Sequence, residues 1–529
     1  FALINLYWLK KKWLSLTILI TGSLPILLSL YVYSQSPDYS LIYLYNLGIL
    51  LSITLCVILA IALIRWLFHK PVPPLEHLHK LAMKLNRKLR LTLIICLGVL
   101  LAFAIFQTSG QGFLAMVTQP VVYLVEDEYQ IAVETNNPTS LTVIIGEQEY
   151  FHEVAGYAKV DTIHKAIVPA ALLDAQTEYT ILLRQVIYRG PYTTYYSFQA
   201  QKTYAWRGAD ASDGLQYEMI ADIHDFQSGA YKTSQYFRDD LDLLIINGDI
   251  VSMLEYDWQA TFINQMIFRI SQGRIPVVYS RGNHETKGKY SYRLAEYVGA
   301  NHENEFFYDF SIQGLYGIVL DVGEDHAKGW WEFGGLDDFT AYQNRQIAYL
   351  AGLSQTERFQ RDYDSRIVIT HIPLTTVNKQ SGDYFAKDFR VNAVNILNNY
   401  HIDLSLSGHY HELLPVPANL PVGEIILPEA YQSQANRLAY ATGANWPDFI
   451  GSGHGKTQFA KSFNKFGSDR IALAITLIDK VTTVKYINSQ LEVLTVKDPF
   501  GLSPDTSAFV VIGKYQVDIP DGVLESADD

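Results

Sequence analysis

The sequence predicts a multi-domain chain, with transmembrane α-helices first, a small β-sandwich second and an α/β domain third. Three observations support this order. The first 117 residues hold long apolar stretches, the next 85 or so hold short strand-like runs, and strands then alternate with helical segments. With 529 residues, 49% of them apolar, the chain is long enough for about three domains. We place the boundaries at 1–117, 118–204 and 205–495, followed by a C-terminal tail at 496–529.

Three apolar stretches, at residues 13–33, 41–67 and 91–117, approach or exceed the ~20 residues that a bilayer-spanning helix needs. Polar residues at 107–111 interrupt the third stretch. A helix buried in a soluble core is an alternative for each stretch, and a cleaved signal peptide is an alternative for the first. Cleavage there would still leave the second stretch in the membrane, so we predict three transmembrane helices.

Lysine and arginine predict the orientation, because cytoplasmic loops retain them. Lys10, Lys11 and Lys12 precede the first stretch, and seven Lys or Arg lie at 65–90, whereas the loop at 34–40 has none. The N-terminus is then cytoplasmic, and the chain after residue 118 is periplasmic or extracellular. Cys56 and Cys96 both lie in the apolar stretches, so the exported part contains no disulfide and no structural cysteine-zinc site.

The charge of the chain is divided unevenly. Residues 1–117 contain 10 Lys and Arg against 2 Asp and Glu, and the remainder contains 31 against 52. Nucleic acids bind basic grooves. The acidic exported part therefore predicts no nucleic-acid partner.

Residues 118–204 predict a small β-sandwich that serves as a spacer or docking module, because no cluster of titratable residues stands out there. Turn signals at Asn136-Asn137-Pro138 and Arg189-Gly190-Pro191 separate the strand-like runs. The segment resembles a fibronectin-III-like domain. The predicted strands are 121–124, 130–133, 141–145, 164–168, 179–186 and 194–198.

In the α/β domain, five polar motifs follow apolar runs at 216–221, 243–247, 275–279, 367–369 and 402–406. Helices are predicted at 260–271, 290–298, 340–352 and 391–400. Ligands in open α/β folds gather at the carboxyl ends of strands. The motifs are Asp222-Ile-His224, Gly248-Asp249, Gly282-Asn283-His284-Glu285, Thr370-His371 and Gly408-His409-Tyr410-His411.

These side chains are suited to binding two metal ions about 3.5 to 4 Å apart, which can hold a hydroxide and neutralise a phosphoryl group. Repulsion between the ions requires a carboxylate between them, and we expect Asp249 to be that bridge. Mixed imidazole and oxygen ligands favour divalent or trivalent Mn, Fe, Zn or Ni. We expect Asp222, His224 and His411 to complete the coordination of one ion. Asn283, His371 and His409 would complete the coordination of the other.

His284 directly follows a predicted ligand and has a different expected role. It would lie beside the ions without binding them, placed to orient the phosphate and to protonate the departing oxygen.

The ordered set of five motifs resembles the calcineurin-like metallophosphoesterase superfamily over about residues 215–480. The resemblance implies an αββα sandwich, and the metal roles given above match those of the family. The preceding domain resembles the N-terminal domain of purple acid phosphatases, which carry a Tyr three residues after the bridging Asp. Ser252 stands at that position here. We therefore expect no tyrosinate-to-iron colour.

The function predicted from the sequence is that of a membrane-anchored, outward-facing dinuclear phosphoesterase. It would hydrolyse a phosphate ester by attack of a metal-bridging hydroxide, and the ester would belong to a small molecule or a lipid phosphate. The alternative is a non-catalytic cell-surface receptor or docking protein that binds phosphate-bearing ligands.

Overall fold

The computed structural model describes residues 113–189, 194–324, 326, 330–379, 384–411, 413–426, 438–451, 470–496, 505–512 and 516–517. These residues belong to the compact unit Phe113–Asp529. The predicted membrane region at 1–117 lies outside the described residues, except for its last five positions. In the described part of the chain, no helix combines the length and the apolar composition that crossing a bilayer requires.

The described residues form six α-helices and 24 strands. The helices are α1 (Ala170–Asp174), α2 (Gln227–Thr233), α3 (Asp257–Ser271), α4 (Phe339–Leu353), α5 (Glu357–Gln360) and α6 (Lys387–Leu397). The strands are β1 (Val121–Val125), β2 (Glu128–Ile145), β3 (Gln148–Phe151), β4 (Glu153–Val154), β5 (Tyr157–Ala158), β6 (Val160–Pro169), β7 (Glu178–Arg189), β8 (Thr194–Ala205), β9 (Leu215–Ile220), β10 (Leu243–Asn247), β11 (Val277–Ser280), β12 (Tyr308–Ile312), β13 (Leu315–Leu320), β14 (Ser365–Thr370), β15 (Thr376–Asn378), β16 (Leu404–Ser407), β17 (Leu413–Val416), β18 (Gly423–Ile426), β19 (Leu438–Ala441), β20 (Asp448–Gly451), β21 (Ala472–Ile478), β22 (Val481–Ile487), β23 (Phe509–Ile512) and β24 (Gln516–Val517).

Two large sheets build the α/β region. The first has the order β24-β23-β22-β21-β9-β10-β11-β1-β2-β7-β8, with β3 and β6 also paired to β2, and the second has the order β12-β13-β14-β16-β20-β17. Strands β9, β10 and β11 run parallel in the first sheet, and β13, β14, β16 and β20 run parallel in the second. The carboxyl ends of the parallel strands in each sheet therefore lie at one edge of that sheet.

The layers follow from the alternation of side chains along the strands, since successive residues point to opposite faces. In β10, Ile245 joins the core between the sheets, whereas Leu244 and Ile246 pack with Ile263 of α3 on the outer face. In the second sheet, Val368 packs outward with residues of α4 and α6. The layer order is therefore helix, sheet, sheet, helix, as the αββα expectation requires.

Three of the four predicted helices are present as α3, α4 and α6. Helix α4 begins after Asp338, whose carboxylate accepts a hydrogen bond from the Ala341 amide. The prediction of a helix at 290–298 was wrong in type, because Ser291–Glu296 is a 3₁₀ segment. Its bonds join residues three apart, a pattern that proteins use in short pieces.

The predicted turn at 136–138 is also absent, because β2 runs through it as one long strand. The register between β2 and β6 shifts between Glu134 and Thr139. The Asn136 side chain binds the Ala115 amide and the Phe113 carbonyl at 2.7 and 2.8 Å. These residues are of types common in turns, but here their side chains make hydrogen bonds at a β-bulge. A bulge disrupts the hydrogen-bond ladder without ending the strand.

The predicted sandwich segment is continuous with the sheet of the α/β region. Strand β1 is buried at every position, and it pairs in parallel with β11 and antiparallel with β2. A fibronectin-III-like domain with its own boundary stays a prediction. At the other end of this sheet, β23, from the predicted tail, pairs with β22.

Candidate metal centre

All five polar motifs follow strands, as the sequence predicts, and the observed strand bounds differ from the predicted ones by two residues at most. The first three motifs follow β9, β10 and β11 of the first sheet. The other two follow β14 and β16 of the second sheet. The two sheets face each other across a shared core, so the loops at their carboxyl edges meet.

The loops bring potential metal ligands into two groups. In one group, donor atoms of Asp222, His224, Asp249 and His411 all lie within 4.8 Å of one another. In the other, donor atoms of Asp249, His371 and His409 do so. Asn283 joins the second group, since its Oδ1 lies 3.0 Å from His409 Nδ1. All seven predicted ligands are thus brought together, and Asp249 is common to both groups.

The donor atoms converge closely in a buried space. His371 Nε2 lies 3.1 Å from Asp249 Oδ2, His411 Nε2 lies 3.2 Å from Asp222 Oδ1, and the Nε2 atoms of His224 and His411 are 3.1 Å apart. Asp222, Asp249, His224 and His371 are at most 2% exposed. Crowding this many lone pairs away from water is costly unless a cation lies among them. The residues therefore fit a pair of metal ions.

Hydrogen bonds orient the ligands from behind. The Nδ1 of His371 lies 2.7 Å from the Asn247 carbonyl. Because a carbonyl can only accept, this nitrogen donates, and Nε2 faces the cluster. On the other side, Asp222 Oδ2 accepts a hydrogen bond from the His409 amide at 2.9 Å.

Five of the seven predicted ligands have left-handed backbone conformations. The φ angles of Asp222, His224, Asp249, His409 and His411 are 52°, 47°, 54°, 68° and 54°. Such conformations are uncommon in residues other than glycine and cluster at functional sites. These strained backbone conformations turn the ligand side chains toward one point.

The glycines in the motifs allow the loops to approach each other. Gly248 has a φ of 75°, and a Cβ there would lie 2.6 Å from the Cα of Gly282 and from His371 Nδ1. A Cβ at Gly282 would collide with the Oδ1 and the backbone nitrogen of Asp249. A side chain at either position would push the Asp249 and Asn283 loops apart.

Glu285 is a site residue to which the sequence analysis assigns no role. Its buried carboxylate accepts backbone hydrogen bonds from Asp249 and Gly282 at 2.8 and 3.0 Å through Oε2, and from Ile250 and Val251 at 2.6 and 3.3 Å through Oε1. Glu285 therefore fixes the loop that carries Asp249. Its place in the Gly-Asn-His-Glu motif is the sequence signal that points to it.

His284 lies beside the cluster and is not in either group of ligands. Its Nδ1 is 2.8 Å from the Ser252 carbonyl, which leaves Nε2 directed toward Asp249, 3.9 Å from Oδ2. Its amide donates to Asp249 Oδ1 at 2.9 Å. The His284 side chain is 23% exposed. It therefore lies between the ligand cluster and the solvent.

The charges of the centre shift its pKa values. Burial alone would raise the pKa values of Asp222 and Asp249. The nearby His371 ring has the largest opposing effect, and both pKa values fall below their ordinary range. Burial opposes the charge on His371, yet Asp249 and Asp222 raise its pKa to about 10. Burial also raises the pKa of Glu285 to about 7, with Asp249 adding to the effect. Both aspartates are thus anionic at neutral pH.

Residues 219–413 match the family model described as calcineurin-like phosphoesterase, a span that contains every predicted ligand. No curated protein matches the chain.

Several solved structures are similar at low identity. Purple acid phosphatase PPD1 from yellow lupin (Lupinus luteus) seeds is 15% identical over 71% of this chain and 72% of its own, with a TM-score of 0.42. A structure of PhoD is 10% identical over 75% of this chain and 90% of its own, with a TM-score of 0.40. A protein serine/threonine phosphatase from Saccharomyces cerevisiae is 12% identical over 59% of this chain and 83% of its own, with a TM-score of 0.22.

The family model and the grouped ligands agree on the same residues, from the loop after β9 to the loop after β16. Proteins of this family hold two metal ions. The chain carries a calcineurin-like metallophosphoesterase domain, and it is a hydrolase that acts on phosphoric ester bonds.

Proposed function

We propose that this domain binds two metal ions through the seven grouped side chains and uses them to hydrolyse a phosphate ester. The observation that carries the proposal is the presence of Asp249 in both ligand groups. When bound, two such ions supply Lewis-acid activation of water and neutralise the phosphoryl oxygens. Mn, Fe, Zn and Ni are the ions that these mixed nitrogen and oxygen donors favour.

Protein residues would balance the charge of the ions, hold the ligands in place and leave a path for the substrate. Asp249 would balance positive charge at the midpoint of the centre, because it is the carboxylate shared by both groups. Glu285 would keep that carboxylate in place through its backbone hydrogen bonds. The aspartates are buried, so a substrate would enter from the side of His284 and His411, which are partly exposed.

Metal analysis and turnover together test this function. We expect the full chain, loaded with Mn and freed of excess metal, to bind about two ions and to hydrolyse 4-nitrophenyl phosphate or bis(4-nitrophenyl) phosphate. A chelator should remove the activity, and added Mn should restore it. The relative rates on the two esters would distinguish a monoesterase from a diesterase. Fewer than two ions, or no turnover of either ester, would contradict the proposal and favour the receptor alternative.

His284 would orient the phosphate and donate a proton to the departing oxygen from Nε2. Replacing it with alanine should lower kcat by roughly 10²- to 10⁴-fold, the usual contribution of general acid catalysis. The loss should be larger on phenyl phosphate than on 4-nitrophenyl phosphate, because a poor leaving group depends more on protonation. Steady-state kinetics on both esters measure this difference.

His302→Ala is a matched control for His284→Ala, because His302 is an exposed histidine that pairs with Glu128 instead of the metal centre. The control should keep normal kinetics, and both variants should keep two bound ions. Equal losses of His284→Ala on the two esters would rule out the proton-donor role and leave only the orienting role.

The metal centre should lack the visible absorption band of a tyrosinate bound to iron. Ser252 takes the position of that tyrosine, and its backbone carbonyl supports His284. An absorption spectrum of the iron-loaded chain checks the prediction. A strong visible band that disappears when a nearby tyrosine is replaced would contradict it.

We also propose that residues 1–117 anchor the enzyme and that its catalytic domain faces the periplasm or the cell exterior. The apolar stretches and the distribution of Lys and Arg in the sequence support this arrangement. A reporter enzyme fused after Asp529 should then behave as exported. A substrate near a membrane surface could be a lipid phosphate or a soluble phosphate ester, and assays of both classes would distinguish them.

A further inference from the structure

A second cleft lies at the opposite edge of the first sheet from the metal centre. Its lining residues come just before the parallel strands, since Leu241 precedes β10 and Ile275 precedes β11. The metal ligands come after these strands, and a five-residue strand spans about 15 Å. The cleft has a volume of about 410 Å³, which is within the usual range of small-molecule sites. It is therefore separate from the catalytic centre and large enough for a ligand.

Four arginines line this cleft: Arg207, Arg238, Arg269 and Arg274. Asp239 also lines it, so the lining carries an excess of positive charge. This concentration of arginine contrasts with the chain beyond residue 117 as a whole, where acidic residues outnumber basic ones by 52 to 31. A positive recess on an acidic protein attracts anions specifically to that point.

Structural roles account for two of the four arginines. Arg207 donates to the Leu241 carbonyl and to Asp242 Oδ1, the latter at 3.1 Å. Arg269 lies over the Tyr231 ring, 4.2 Å from its centroid, and its position in the last turn of α3 offsets the helix dipole. Both side chains are already engaged in holding the walls of the cleft.

The other two arginines have no such role within the described residues. Arg238 and Arg274 are exposed, and neither side chain makes a hydrogen bond or an ion pair with another described residue. Arg238 also has a left-handed backbone, with a φ of 54°, which is uncommon for a residue other than glycine. Two arginines without a side-chain partner among the described residues therefore line one recess.

We propose that this cleft binds a small phosphate-bearing anion, with Arg238 and Arg274 as the principal ligands. Guanidinium groups match phosphate oxygens in geometry and form charge-assisted pairs with them. Gln272 also lines the cleft, and its side-chain amide, which gives one hydrogen to the Arg269 carbonyl, has a second hydrogen to offer the anion. The site is independent of the metal centre and of the proposed function.

Calorimetric titration with pyrophosphate tests the site. The full chain would carry Asp249→Ala and be stripped of metal, so that the catalytic centre cannot compete for the anion. We expect saturable binding that weakens with added salt. The pair Arg238→Gln and Arg274→Gln should weaken it at least about tenfold, because charge-assisted bonds to phosphate are lost.

The pair Arg345→Gln and Arg361→Gln is the matched control, since both residues are exposed arginines that pair with carboxylates elsewhere. Its affinity for pyrophosphate should be unchanged. A parallel titration with water-soluble dihexanoyl phosphatidic acid identifies the source of the phosphate: binding would show that a lipid headgroup is accepted, and no binding would restrict the site to free anions. Absence of saturable pyrophosphate binding, or equal affinity in the Arg238 and Arg274 double variant, would overturn the proposal whether or not the enzyme hydrolyses esters.

Discussion

Replacing Asp249 with alanine is expected to abolish hydrolysis, lowering kcat/KM by ~10³-fold or more. The reason is the position of its carboxylate, which is 1% exposed and belongs to both ligand groups. Without it, two cations would face each other with no anion between them, so metal content should fall together with activity. Hydrolysis of 4-nitrophenyl phosphate and metal analysis of the same sample measure both effects.

Two further variants make the Asp249 result specific. Asp249→Asn keeps the shape of the side chain and removes its charge, so it should lose metal almost as completely as alanine. Asp362→Ala removes an exposed aspartate and should leave both activity and metal content unchanged. Normal turnover by Asp249→Ala with two ions still bound would refute the shared-carboxylate role.

Replacing Glu285 with glutamine is expected to destabilise the fold and to disable the metal centre. The amide nitrogen of glutamine would face two backbone N–H donors, leaving buried polar groups unpaired at a cost of roughly 2 to 4 kcal/mol. The loop bearing Asp249 would lose that support, and metal affinity should fall. Urea unfolding measured with a chelator present reports the stability change without any contribution from metal binding.

The pH of the Glu285 experiment matters. Because burial raises the pKa of Glu285 to about 7, above its value in the unfolded chain, the wild type loses stability as the pH rises through 7. Glutamine does not titrate, so the loss of stability in Glu285→Gln should be larger at pH 6 than at pH 8, and unfolding should be measured at both. Glu303→Gln, which changes an exposed glutamate, should alter the free energy of unfolding by less than about 0.5 kcal/mol. A Glu285→Gln protein as stable as the wild type would show that the amides at Asp249 and Ile250 find other acceptors.

The arrangement of the metal centre could be predicted from the sequence because it depends on short motifs next to recognisable strands. Each motif follows an apolar run, and in parallel strands the carboxyl ends meet at one edge, so placing the strands also places Asp222, Asp249 and His371. The role of Glu285 could not be predicted in this way, because three of its four partners are backbone amides of a loop 34 to 36 residues away. The membrane-spanning helices stay predictions.

Long-range pairing also limits prediction from sequence. The apolar run of β1 indicates a buried strand, but nothing in it specifies β11 as a partner more than 150 residues later. The prediction of a turn at 136–138 was wrong for a related reason. Their side chains bind a segment more than 20 residues upstream, and a local pattern does not contain that contact.

The parallel pairing of β1 with β11 limits how this enzyme can be divided. A protein shortened to begin near residue 205 would uncover the flank of β11, the strand that leads to Asn283 and His284. An apolar strand left without its neighbour is a template for aggregation. Recombinant fragments intended for assays should therefore start upstream of Val121, and the apparent spacer is inseparable from the catalyst it precedes.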